Sequence, residues 1–510
     1  MKIVTVWLIT LCFLTVPGHT LAKDLFVDPV EGSNLYNGLS ARPNGSGGPF
    51  KSPNHAIAIA GPGDTVHLAK AVYSDELDLT NKSGEPNHPL IIDGHGATID
   101  GSRPINISDW QQVAPGLYQN TAIWKEPLQQ HEDFQWRWYF IFNGSMNRMG
   151  HCMKGVNTPY KQPDALTDGQ WTYRQKDHSF FIKIDSSKKL TDYNIAMPFR
   201  TNGVAVHGPL HDLIVRNVIA THALNDGFNI TPPVNGKLSV RFENIASIEC
   251  GDDGLSAHGN SFVDVNGFYS AGNGNGLCTT GMSTNNRLFI KDNVGYEINF
   301  YRNPNPGSST HTITNSYIDC TALNGFLVES GMKGGICTLK MDNVIVVGHH
   351  GRTVESQWIR AVNNAEIEAT RLTVTGMSFM ITGRALRLHN SILAGGDDYS
   401  IDLGNDVRWS ADNNIYGLGH IRVIFPSVRC DANSFDDYKR MVNQDAQSKW
   451  MRIDSDQLLK NAPIGSTDEK IGADLSKIPQ HKHDGELSQL TVKYKSAGEK
   501  LATDNNMHTP

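Results

Sequence analysis

The sequence predicts an all-β chain folded as a right-handed parallel β-helix, a solenoid of coils of about two dozen residues stacked along one axis. Three observations carry that expectation. An asparagine followed ten residues later by glycine recurs at coil-length spacing, β-branched runs lie between, and turn residues abound, with 48 glycines in 510 residues.

Asn217, Asn244, Asn266 and Asn315 are each followed at that offset by Gly227, Gly254, Gly276 and Gly325. Asn293 fits the same phase, with Asn303 in the glycine place, so the asparagines step by 27, 22, 27 and 22 residues. The five side chains should therefore stand in one line, pairing backbone groups along a turn, while glycine supplies positive φ at a sharp corner. Val344-Ile345-Val346-Val347 and Leu372-Thr373-Val374 read as interior strands, and the coils continue through Asn343 and Asn390. Residues 200–430 should hold about eight or nine coils.

The remaining segments follow in order. Lys2, an apolar run from Ile3 to Val16, Pro17-Gly18 and Thr20-Leu21-Ala22 form a signal-peptide pattern over residues 1–22, too short to span a bilayer. The mature protein is expected to be secreted or periplasmic. Residues 23–109 should form an N-terminal cap and the first coils: a strand at Asp24–Asp28, a loop, a short apolar helix around His55–Ala60, then strands near Val66 and Leu90–Ile92. A helix over an open solenoid end covers an otherwise exposed sheet edge. Residues 110–199 lose the repeat and cluster aromatics, predicting a small β-rich insertion in which Gly169–Tyr173 pairs with Ser179–Ile184. Residues 431–479 read as a helix and a closing segment, and 480–510 as a charged, disordered tail.

The formal charge of −7 is mild and lacks the basic stripe that nucleic acid requires. Nothing past the leader is apolar enough to cross a membrane, and a monomer is expected. Beyond Cys12 the six cysteines, Cys152, Cys250, Cys278, Cys320, Cys337 and Cys430, match no disulfide framework or zinc set and read as buried thiols.

The cap resembles that of the pectate-lyase-like β-helix superfamily, on Pro62-Gly63-Asp64-Thr65-Val66 followed by Ala71-Val72-Tyr73. The resemblance covers residues 24–105 and implies the architecture, with carbohydrate as the usual partner, but no one reaction.

Chemistry is expected one position before each glycine, where Asp226, Asp253, Asn275, Arg302 and Asn324 should form a column on coils about 4.8 Å apart. Asp252 adds a third carboxylate, and His258 leaves the same turn five residues after Asp253. Two acids about 5 Å apart match the spacing of retaining glycosidases, and like charges that close separate their pKa values. The expected catalytic set is Asp226, Asp252, Asp253, His258 and Arg302. Asn275, Glu329, His349, His350 and Arg352 are the expected substrate-binding residues. The same three acids could instead hold Ca²⁺ against a substrate carboxylate, with Arg302 as the base of a β-elimination, the style of pectate lyases. No other cofactor is called for.

Asn225-Asp226-Gly227 followed by Asp252-Asp253 also resembles the "NTD" and "DD" motifs of polygalacturonases. The Thr is missing here, "GHG" is absent at Asn275-Gly276-Leu277 although His258-Gly259 lies one coil earlier, and "RIK" is absent. For every one of these residues the plain alternative is structural, since Asp or Asn before Gly is ordinary turn vocabulary. The expected function is a secreted enzyme cleaving glycosidic bonds in a polysaccharide, hydrolysis ahead of elimination. A non-catalytic glycan-binding or surface protein is the rival reading.

Overall fold

The computed structural model describes residues 22–123, 134–149, 151, 159–301, 307–330, 335–349, 358–423, 427–454, 458–459 and 471–479. Residues 1–21, where the signal-peptide pattern falls, Cys152, Arg302, His350, Arg352 and residues 480–510 lie outside them.

Coil succeeds coil in register, so that 26 strands join in one ladder, parallel but for the closing hairpin of Ile415–Val423 with Val428–Cys430. The architecture is the right-handed parallel β-helix. Counted on the face that begins with Leu213–Thr221 and ends with Ile415–Val423, nine coils are described between residues 200 and 430. The reason is visible in one interior column. Phe228, Leu255, Leu277, Ile298, Phe326, Ile359, Phe379 and Ile401 are successive register partners, and each is fully buried. Every rung buries one large apolar side chain on its neighbour, worth about 1.5–3 kcal/mol apiece. A one-residue slip would turn the whole column to solvent, which fixes the register.

The ends are closed as a solenoid requires. Helix Pro53–Ile59 presses Ala56 and Ile57 into the core against the first coil. Helix Phe435–Val442 buries Phe435 and Tyr438 against the last. Between Ser102 and Pro198 the chain leaves the solenoid and forms two four-stranded antiparallel sheets, in which Trp171–Arg174 pairs with Ser179–Lys183. Trp138, Phe140, Trp171, Phe180 and Ile182 give this insertion its own core, which reaches Leu224 on the solenoid. Cys250, Cys320, Cys337 and Cys430 are buried free thiols, and Cys278 is also buried.

The asparagine line needs correction. The left-handed corner position is filled by Asn217, Asn244, Gly267, Arg287, Asn315 and Asn343 in turn. Asn217 and Asn244 are hydrogen-bonded at 2.8 Å, as are Asn315 and Asn343. Asn266 pairs in register with Glu243, one residue short of that corner, and reaches the ladder only through Asn286. Asn293 stands at another corner, where its Oδ1 accepts from the Asn273 N–H at 3.0 Å. The coil between Gly267 and Arg287 is short, so the spacing that looked regular spans two different corners.

Candidate active site

The column before the glycines holds for Asp226, Asp253, Asn275 and, one coil past an intervening position, Asn324. Gly227, Gly254 and Gly276 are aligned, which stacks Asp226, Asp253 and Asn275 on consecutive coils. One coil further, Gly276 N–H donates to Tyr296 O, and Glu297 then donates to Gly325 O. Tyr296 and Glu297 therefore take the places expected of Arg302 and Asn303, because the coil turns six residues earlier than the Asn-to-Gly spacing suggested. Arg302 itself lies outside the described residues.

Asp226, Asp252 and Asp253 come together. One carboxylate oxygen from each lies within 4.8 Å of the others, and all three residues are at most 4 % exposed. Each acid is held. Asp226 Oδ1 accepts from the Asp253 N–H at 2.9 Å, and its Oδ2 accepts amide donations from Asn229 at 2.6 Å and Asn225 at 3.0 Å. Asn275 Nδ2 reaches both Asp253 Oδ1 at 2.7 Å and Asp252 Oδ1 at 3.1 Å. Asn275 is wholly buried, and its own oxygen accepts from the Tyr296 N–H. It clamps two acids and the next coil.

The insertion completes the corner. Arg137, at the end of the turn Phe134–Arg137, places Nε 3.4 Å from Asp252 Oδ2 and donates through Nη1 to Asn225 Oδ1 at 2.5 Å. Arg148 is buried and donates to the carbonyl oxygens of Gly251 at 2.7 Å, Gly272 at 3.2 Å and Cys250. Gly251 is required here, since a Cβ would strike the carbonyl oxygen of Leu224 and lie 2.8 Å from that of Arg137. Neither arginine was among the expected residues. The available signal was a lone cation inside the aromatic run Phe134-Gln135-Trp136-Arg137-Trp138-Tyr139-Phe140.

The other expected residues are placed elsewhere. His258 follows strand Asp253–Ala257, roughly 15 Å along it at about 3.3 Å per residue, and contacts Ser256 Oγ and Tyr301 Oη at 3.2 and 3.3 Å. It leaves the turn but does not return to the acids. Glu329 ends strand Phe326–Glu329 on the same far edge and accepts from Asn363 Nδ2 at 3.0 Å. His349 pairs with Asp319 on a different face. His350 and Arg352 lie outside the described residues.

Ca²⁺ fits this donor set poorly. The spacing of the oxygens would suit it, but amide or backbone donors already point at all three carboxylates and a guanidinium sits on Asp252. What the corner offers chemically is closely spaced carboxylates under one positive charge, in a site largely shielded from water. Carboxylates this close are an arrangement that can divide the roles of proton donor and proton acceptor.

No protein-family model and no curated protein sequence matches this chain. Solved structures do resemble it, three of them as follows. A complex of XylC with xylose superposes with a TM-score of 0.48 at 13 % identity over 84 % of this chain and 82 % of that one. A glycoside hydrolase gives 0.40 at 9 % identity, covering 79 % and 98 %. The GH136 lacto-N-biosidase from Eubacterium ramulus gives 0.34 at 11 % identity, covering 77 % and 67 %. Likeness at this level carries no argument about activity, and the site must be read from its own geometry.

Proposed function

We propose that this chain is an exported enzyme that hydrolyses glycosidic bonds in a polysaccharide, with Asp226, Asp252 and Asp253 as the acids at the reacting centre. The observation that supports this is the acid corner: three carboxylates from two adjacent coils within 4.8 Å, with Arg137 on Asp252. One acid would protonate the leaving oxygen and another would stabilise or attack the anomeric carbon. The spacing is nearer the roughly 5–5.5 Å of retaining pairs than the roughly 6.5–9.5 Å of inverting ones. Elimination has less support, because the donor set suits Ca²⁺ poorly.

A second reading has its own observation. The Asp226 carboxylate is engaged by the Asp253 backbone N–H, as in a corner whose acids only pin the turn. On that reading the protein binds or coats glycans without cleaving them. Incubation with a panel of neutral and uronate polysaccharides separates the readings. New reducing ends without absorbance near about 235 nm are expected for hydrolysis, both signals together indicate elimination, and no product from any glycan supports the binding protein.

A further inference from the structure

We propose that the N-terminal coil carries a binding site for a divalent transition-metal cation of the zinc class, held by His67, His95 and Asp93. His67 lies on strand Thr65–Leu68, which pairs in parallel with Leu90–Asp100 so that His67 and Asp93 are register partners. One donor atom from each of the three residues lies within 4.8 Å of the others. His67 Nδ1 and His95 Nε2 face each other at 3.0 Å.

Two ring nitrogens that close are bridged either by an N–H···N hydrogen bond, one ring donating to the other, or by a metal ion. One outer nitrogen indicates how its ring is set. Asp24 Oδ1 lies 2.9 Å from the outer nitrogen of His67, Nε2. A carboxylate on the outer nitrogen keeps that nitrogen protonated and directs the lone pair inward, the arrangement that orients histidine ligands toward metals. Imidazole with carboxylate suits zinc, copper or nickel, and zinc–nitrogen bonds of about 2.0–2.1 Å need only a small opening of the present contact.

Asp93 also accepts from Arg216 Nε at 2.7 Å and Asn217 Nδ2 at 2.9 Å, so the two imidazoles are the principal ligands and Asp93 shares its remaining lone pairs with the ion. The His95 side chain is 51 % exposed, so an ion and its water ligands can enter from solvent. An ion there would tie the first described strands to the next coil, at the end of the solenoid where fraying starts.

The test is zinc titration of chelator-stripped full-length protein near neutral pH, followed by calorimetry and thermal melting. One saturable equivalent and a raised melting temperature are expected. Both should vanish in His67→Ala and in His95→Ala, whose zinc-free melting curves report that they fold. Asp24→Asn should weaken binding roughly tenfold or more. His211→Ala, at an exposed histidine elsewhere, should bind as wild type does. The proposal is overturned by an absence of saturable uptake or by uptake that persists in His95→Ala. It is equally overturned if the melting temperature responds to pH near neutrality but not to zinc, which would mean that the two rings share only a proton.

Discussion

Two polar columns run along this solenoid, and they solve the same problem with different chemistry. In the asparagine ladder, Asn244 donates to Asn217, Asn315 to Asn286, Asn343 to Asn315 and Asn413 to Asn390, all at 2.7–2.9 Å. An amide both donates and accepts, so such a ladder satisfies itself without charge. In the acid corner the equivalent positions hold Asp226 and Asp253, with Asp252 beside them. Carboxylates only accept, so this corner must borrow donors from Asn225, Asn229, Asn275 and Arg137. Three buried acids under one guanidinium carry a repulsion that the ladder avoids. A corner that needed only hydrogen bonds is met by amides elsewhere in the same molecule. The contrast is the physical motive for assigning chemistry to the acids.

Substitutions in the two columns should therefore fail in different ways. The largest effect belongs to Asp252→Asn, which keeps the shape and the Asn275 contact but removes the charge that faces Arg137. Turnover on a cleaved glycan should fall by about 10²–10⁴-fold, read as kcat from reducing-end release.

Next is a pH effect on stability where carboxylates flank a buried histidine. Burial works to lower the His222 pKa, but Asp100 at 3.3 Å and Glu249 at 3.2 Å hold it up at about 9. A raised pKa means that the folded state binds the proton more tightly than the unfolded chain. That stabilisation is complete below about pH 6.5 and is lost as pH rises toward 9, on the order of 3 kcal/mol across the window. Urea unfolding at a series of pH values should show the loss in wild type and a flatter profile in His222→Gln.

In the ladder the effects should be on stability alone. Asn343 is fully buried, donates to Asn315, and accepts from the Asp474 N–H of the closing segment at 2.5 Å. Asn343→Ala should cost about 2–3 kcal/mol in urea unfolding, with kcat unchanged. Asn413→Ala, which removes a single half-buried contact to Asn390, should cost about 1 kcal/mol and is the smallest of these effects.

The fold was legible because its signals are local and repeated. Interior β-branched runs, turn glycines and the helix at Pro53–Ile59 each follow from a few neighbouring residues. The acids were legible for the same reason, since Asp226 and Asp253 each precede a corner glycine on adjacent coils. The failures came where coil length changed. Asn293 and Arg302 were assigned by continuing a spacing that the chain abandons at a short coil, and Tyr296 holds the position instead. His258 and Glu329 were assigned by strand phase, which says which wall a side chain is on but not how far along it lies. Arg137 and Arg148 were missed because an insertion docks by tertiary contact, and no period in the solenoid announces which of its residues will reach the corner.

Asp253→Asn separates a chemical acid corner from a structural one like the asparagine ladder. Asparagine keeps an oxygen for Asn275 Nδ2 and suits a turn about as well as aspartate does. On a polysaccharide that the wild-type protein cleaves, turnover should fall by about 100-fold or more, with a melting temperature unchanged or raised by the relieved repulsion. Full activity with the same melting temperature would contradict this and leave Asp253 as one more rung of a ladder.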